Sequence, residues 1–291
     1  MRKTLLWIGL TALSISYIFL FGQFLFIAGL IGGLGSILII GGIFFPQRKY
    51  DNMSEYEEWG LLFVIFAFVQ VSMGKLGIFV VISIQWYYAI HWYVGAWVLT
   101  DISLEIIWNL IGATIVYSIV LISLIVKQKR IKVLISSINF AKFTSNFKNY
   151  TIIYLVGQFF HLFMLFLGFI SSWRWWSYVL ELAYLVGLCI LFTSLIFELF
   201  SWIRLVKSTP SLTSTREIRD TLEMGISILI IGTILSFVLV GLILPLFMGL
   251  IFPPYDQFIS HIKNLQYAVD GIYLVGFLVV GLLLKRNQVY N

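Results

Sequence analysis

Groups able to do acid, base or ligand chemistry are scarce in this 291-residue chain: three histidines, thirteen Asp and Glu, and one cysteine. Two histidines lie inside long apolar runs, His91 in IQWYYAIHWYVGAW and His161 in YLVGQFFHLFMLFLG. Neutral imidazole is a good axial ligand for haem iron, and apolar surroundings keep water from the porphyrin. His91 stands nine residues before Thr100 and His161 twelve before Trp173. On ideal helices those spacings are about 14 and 18 Å, so two facing helices would hold the rings at similar depth. Gly95 and Gly157, each four residues from a histidine, would leave room for a flat macrocycle. The expectation is one haem b ligated by His91 and His161. The competing use of either residue is a hydrogen bond to a neighbouring helix that locks packing.

Other polar residues extend this reading. Gln158 lies three residues before His161, so both share a helix face and could orient an imidazole or bond a quinone carbonyl. Interhelical bonding is the plainer use of Gln158, as of Gln70, Gln85 and Asn109. Asp101, Glu105, Glu181, Asp256 and Asp270 fall near one proposed membrane boundary, with Arg174 and His261 nearby. Such a set suits proton exchange or the binding of a cation or quinol headgroup, although acids at span ends are more often simply solvated. Glu198, in LIFELFSW with Arg204 six residues on, is expected to snorkel or pair rather than to react. Cys189 has no second cysteine for a disulfide. The sequence contains no G-x-x-x-x-G-K-S/T, H-E-x-x-H, G-x-S-x-G or C-x-x-C, the usual signatures of NTPases, zinc proteases, serine hydrolases and iron–sulfur proteins.

The elements that would position these groups follow from composition. Hydrophobic residues make up 60% of the chain and charged residues 11%, against about 25% charged in soluble domains. Runs such as GISILIIGTILSFVLVGLILPLFMGLIF exceed the roughly 18 apolar residues that mark a membrane-crossing helix. Uniform runs of this length exclude a transmembrane barrel, whose strands alternate. The expected fold is therefore an all-α polytopic transmembrane helix bundle. The net charge of +6 sits in short loops, where topology alone calls for it, and does not point to nucleic acid.

Apolar stretches lie at about 4–45, 59–99, 104–126, 151–172, 178–205, 223–252 and 265–284. The first two would each be roughly 60 Å long as single helices, twice the hydrocarbon thickness. Breaks at Gly22-Gln23 and Gly74-Lys75 turn each into two spans, giving nine within a single domain over residues 1–291. Of the nineteen Lys and Arg, thirteen then fall on one face and six on the other. The positive-inside bias makes loops near 127–150 and 206–222, and the C-terminus, cytoplasmic. Arg2 and Lys3 count against the resulting outside N-terminus. An eight-span arrangement with a re-entrant glycine-rich second half of 4–45 would remove that conflict, as would a signal-peptide reading of 4–20. Gly29-x-x-x-Gly33 suits close helix packing. The stretch IKVLISSINFAKFTSNF is either a solvated basic loop or an amphipathic helix lying on an anionic leaflet.

As a whole-chain profile of many spans, Ile, Leu, Phe and Tyr richness, five prolines and little extramembrane mass, the sequence resembles the hydrophobic polytopic subunits of archaeal respiratory complexes, in particular the membrane partner of a b-type cytochrome. That resemblance implies a cell-membrane subunit that positions quinol, and one haem at His91 and His161, beside an outward-facing redox partner. Lipid contact and a hetero-oligomer with a cytochrome or other redox subunit go with it. Two other classes fit the same profile: a permease or transporter component with a midplane site at broken helices, and a structural or assembly subunit that binds no small molecule.

Overall fold

The computed structural model describes residues 2–21, 25–44, 138–170, 176–212, 216–247 and 255–286, together with Val64. These segments are helical, with no strand among the described residues: α1 (Arg2–Phe21), α2 (Leu25–Phe44), α3 (Ile138–Ile170), α4 (Trp176–Val206), the single turn α5 (Thr209–Leu212), α6 (Arg216–Phe247) and α7 (Tyr255–Arg286). Apolar runs in lipid must satisfy every backbone polar group internally, which an α-helix does. Helices of 31 to 33 residues, as α3, α4, α6 and α7 are, measure nearly 50 Å, beyond the roughly 30 Å hydrocarbon layer. Among the described residues three segments combine the length and apolarity needed to cross a membrane: Leu185–Val206, Arg216–Leu242 and Asn264–Leu283. The described residues thus carry three such spans rather than the nine expected. The stretches 59–99 and 104–126, with the break at Gly74-Lys75, lie outside the described residues apart from Val64.

The expected division of residues 4–45 is present. Helices α1 and α2 pack antiparallel, with Leu6 against Gly42, Gly9 against Ile39, and Leu13 against Gly35. Their approach is close enough that a Cβ at Gly9 would lie 2.8 Å from the Gly35 carbonyl oxygen, and one at Gly35 would lie 2.9 Å from that of Gly9. Small residues of this kind let two backbones meet where no hydrophobic drive between helices exists in lipid.

Helix α3 starts well before the apolar stretch that announced it. Residues 138–150, expected as a loop or as a helix lying on the leaflet, form the first turns of the same continuous helix. Phe140, Phe143, Phe147 and Tyr150 recur at helical spacing and are buried, while Lys142 and Lys148 are exposed. The Phe143 and Phe147 rings lie 6.3 and 5.8 Å from that of Trp202. The apolar face is therefore covered by α4 and is not free to lie on lipid.

Helix α4 runs antiparallel to α3, from the Gly157–Leu191 contact to the Phe147–Trp202 contact. Arg204 sits in its last turn and Glu217 in the first turn of α6, each complementing the helix dipole. Between them Thr209 donates to Glu223 Oε1 at 2.6 Å, and Asn139 Nδ2 donates to the Lys207 carbonyl at 3.3 Å, tying α3, α5 and α6 into one corner. Helices α6 and α7 are antiparallel through Gly225 against Val279 and Gly276 against Leu229.

The bundle exposes apolar side chains and buries a set of polar ones within an apolar core. Ile152, Val156, Phe159 and Phe163 form an exposed stripe on α3, as do Ile231, Ile234, Val238 and Leu242 on α6. Among the buried residues are Thr151, Ser194, Glu198, Ser201, Thr233, Ser236 and Asp270. Exposed apolar stripes together with buried carboxyls at Glu198 and Asp270 depart from the pattern of water-soluble domains and suit helices that contact lipid.

Candidate functional site

The polar interior concentrates where α4, α6 and α7 meet. Each helix contributes polar side chains at helical spacing: Ser194, Glu198 and Ser201 from α4, Thr233 and Ser236 from α6, and Asp270 and Tyr273 from α7. Antiparallel packing of α6 on α7 brings Gly232 against Tyr273, where a Cβ would meet the ring at 3.2 Å. The missing side chain lets the phenol lie across α6. The Tyr273 hydroxyl donates to Thr233 Oγ1 at 2.9 Å and stands 3.5 Å from Ser236 Oγ. Thr233 and Ser236 in turn donate to the Leu229 and Gly232 carbonyls of their own helix.

Glu198 approaches the same hydroxyl from α4, close enough for its charge to act on it. It is 1% exposed, so of the two expected uses, snorkelling and pairing, snorkelling does not occur. Its Oε1 accepts from the Trp202 indole nitrogen one turn on, at 3.3 Å. A buried carboxyl without partners is costly; here the Trp202 indole N–H supplies one. Phenol and two aliphatic hydroxyls make up one hydrogen-bonded group across α6 and α7, with the Glu198 carboxyl beside it on α4. Carboxyl and hydroxyl groups in contact can pass a proton by exchanging which oxygen carries it.

Asp270, expected among acids near the boundary, is 4% exposed and lies within the Asn264–Leu283 span, one turn from Tyr273. Tyr273 is level with Glu198 and Phe277 with Trp202, so α4 and α7 run parallel. That register puts Glu181 level with Asp256 near the start of each helix. Asp270 is fourteen residues further along α7 than Asp256, or about 21 Å deeper. The acids grouped by sequence therefore separate into a pair of helix-start residues and one core residue. His261, on α7, is exposed.

Of the expected haem ligands, His91 lies outside the described residues, as do Asp101 and Glu105. His161 and Gln158 belong to α3, three residues apart as the spacing requires. The gap expected at Gly157 is filled: a Cβ there would stand 2.9 Å from Leu191 Cδ2 and 3.3 Å from Ile190 Cγ2. That glycine seats α4 against α3. No group of three or more His, Cys, Asp or Glu able to hold a metal ion occurs among the described residues.

No family model, curated protein or solved structure matches this chain. The site is therefore read from its own geometry. Tyr273, Thr233, Ser236 and Trp202 were not singled out by their sequence context, yet a signal exists. Each polar residue of the cluster has a second polar or amphipathic residue three or four positions away in an otherwise apolar run: Glu198 and Trp202, Thr233 and Ser236, Asp270 and Tyr273.

Proposed function

We propose that this chain is a multi-pass protein of a cell membrane whose α4–α6–α7 core carries protons, with Glu198 as the group that takes them up and releases them. One observation supports this reading above all: a carboxyl 1% exposed, among three membrane-length helices, stands beside the hydroxyl cluster of Tyr273. Ionisable residues at such depth are expensive and mark proton relays and ion paths. A proton fits better than a metal cation. The Trp202 N–H points at Glu198 Oε1, placing a donor where a cation would need an oxygen, and the two aliphatic hydroxyls direct their hydrogens at backbone carbonyls. The function belongs to the permease or transporter class, with the proton as transported or coupling species. The excess of Lys and Arg near 127–150, near 206–222 and after α7 supports a cytoplasmic C-terminus, and the apolar stretches 59–99 and 104–126 support the fuller count of nine crossings.

Infrared titration of the full-length protein in lipid nanodiscs tests the proposal. A carboxylic acid band should appear and disappear with pH in the wild type and be missing from Glu198→Gln. An identical pH-dependent band in that variant would overturn the assignment.

A second reading, the quinol-positioning subunit of a respiratory complex with a separate redox partner, keeps one support. Gln158 and His161 sit three apart on a continuous α3, where they could serve a quinone carbonyl together. Reduced-minus-oxidised spectra of the purified protein, repeated with His91→Ala and His161→Ala, decide whether it binds haem b. A haem band lost in either variant would favour this reading, and no band in the wild type would remove the haem from it.

A further inference from the structure

The surroundings of Glu198 differ on its two sides. Toward the end of the bundle where α6 finishes and α7 begins, buried polar neighbours follow: Tyr273 with Thr233 and Ser236 at its own level, then Asp270 one turn back along α7 and Ser194 one turn back along α4. Toward the opposite end, where α4 finishes and α6 begins, the neighbours are aromatic apart from Ser201, whose hydroxyl donates to the Phe197 carbonyl of its own helix. Trp202 lies one turn beyond Glu198 with 0% exposure, and around its indole are Phe143 and Phe147 from α3 and Phe277 from α7, at 6.3, 5.8 and 5.5 Å between ring centroids. Three helices close this layer.

The titratable and charged groups around Glu198 follow the same division. From α7 come Tyr273 and, one turn before it, Asp270. α6 brings only the hydroxyls of Thr233 and Ser236 to this level. On α3, Tyr150 is buried near this level and Lys148 beside it is exposed. Arg204, six residues on along α4, is half-buried beyond the aromatic layer.

We infer that Glu198 exchanges its proton with the membrane face at which α6 ends and α7 begins, by way of Tyr273, Ser236 and Asp270, and that Trp202 is the barrier, and the gate, toward the other face. This rests on Glu198 being the proton carrier. A relay needs oxygens that both accept and donate, so that each O–H bond formed is matched by one broken and only a proton moves. Hydroxyls and carboxyls meet that requirement, whereas phenylalanine rings have no such atoms and exclude the water that could stand in for them. Trp202 is not a passive plug, because its N–H bonds the very carboxyl it covers. Moving the indole aside would both remove that bond and open the seal. From Glu198 to Arg204 is six residues, about 9 Å along the helix, so one aromatic layer separates the carboxyl from the basic end of the bundle.

Sidedness is testable with the full-length chain in sealed, oriented vesicles, changing pH on one face at a time with an impermeant buffer. The readout is the infrared band that differs between wild type and Glu198→Gln. In the wild type the band should respond from the α6–α7 face and at least about tenfold more slowly from the face bearing the C-terminus of α7. Trp202→Ala should bring the two rates together, and Phe277→Ala, which thins the same layer from α7, should do so in part if the first variant fails to fold. A wild-type response that is equal from both faces, or faster from the C-terminal face, overturns the gate while leaving Glu198 as proton carrier. No response from either face overturns both.

Discussion

The α1–α2 hairpin and the α4–α6–α7 core solve the same problem differently. Both hold apolar helices together where lipid removes the hydrophobic drive. The hairpin does so with close backbone contact at Gly9 and Gly35 and with buried Leu6, Leu10, Leu13 and Ile39. Its polar residues Thr11 and Ser14 donate only to their own helix, to the Trp7 and Leu10 carbonyls. The core also has close glycine contacts, at Gly225 and Gly276, yet it buries Glu198, Asp270 and a tyrosine hydroxyl as well. Small-residue packing suffices to join helices in this protein, so the carboxyls are not needed for cohesion. Their presence is better explained by what they carry.

Substitutions can break that contrast, beginning with the largest effect. Trp202→Ala removes a fully buried indole at which α3, α4 and α7 meet and should destabilise by about 3–5 kcal/mol, read as a lowered midpoint of unfolding in mixed micelles. Gly35→Ala places a Cβ 2.9 Å from the Gly9 carbonyl oxygen. Overpacking of this kind costs about 1–3 kcal/mol, and the loss should appear in the same assay while the Glu198 infrared band stays as it was. If Gly35→Ala altered that band, the hairpin and the core would not be separable. Tyr273→Phe deletes one buried hydroxyl whose partners keep backbone acceptors, so its stability cost should be near the 1 kcal/mol of an ordinary hydrogen bond. Its distinctive result is a shifted Glu198 band. Arg216→Ala should change neither stability nor band, since its ion pair with Asp220 spans 3.7 Å between side chains 86% and 58% exposed, and such pairs contribute little.

Much of the helical scaffold was legible because a membrane helix announces itself by length and apolarity, and α1 and α2, on either side of Gly22-Gln23, pack antiparallel. Helix boundaries were less so. The lysines at 142 and 148 suggested a loop, but they occupy the exposed face of a helix whose other face, Phe140, Phe143 and Phe147, is packed. A two-faced helix that leans on protein and one that leans on lipid have the same pattern. The site was harder still. Glu198 and Asp270 were visible as ionisable residues in apolar runs, but their neighbours depend on how far one helix slides along another. Gly225, Gly232 and Gly276 set that register for α6 and α7, and no single run contains it. The haem expectation used depth along separate helices and an assumed gap. Its Gly157 gap is taken by Leu191, and His91 lies outside the described residues.

The most direct test of proton carriage by the core is a pH-dependent infrared difference spectrum compared among wild type, Glu198→Gln and Asp270→Asn in lipid. Wild type and Asp270→Asn should share a carboxyl band that Glu198→Gln lacks. A band that persists in Glu198→Gln, or a wild type with no pH-dependent carboxyl band at all, would contradict it.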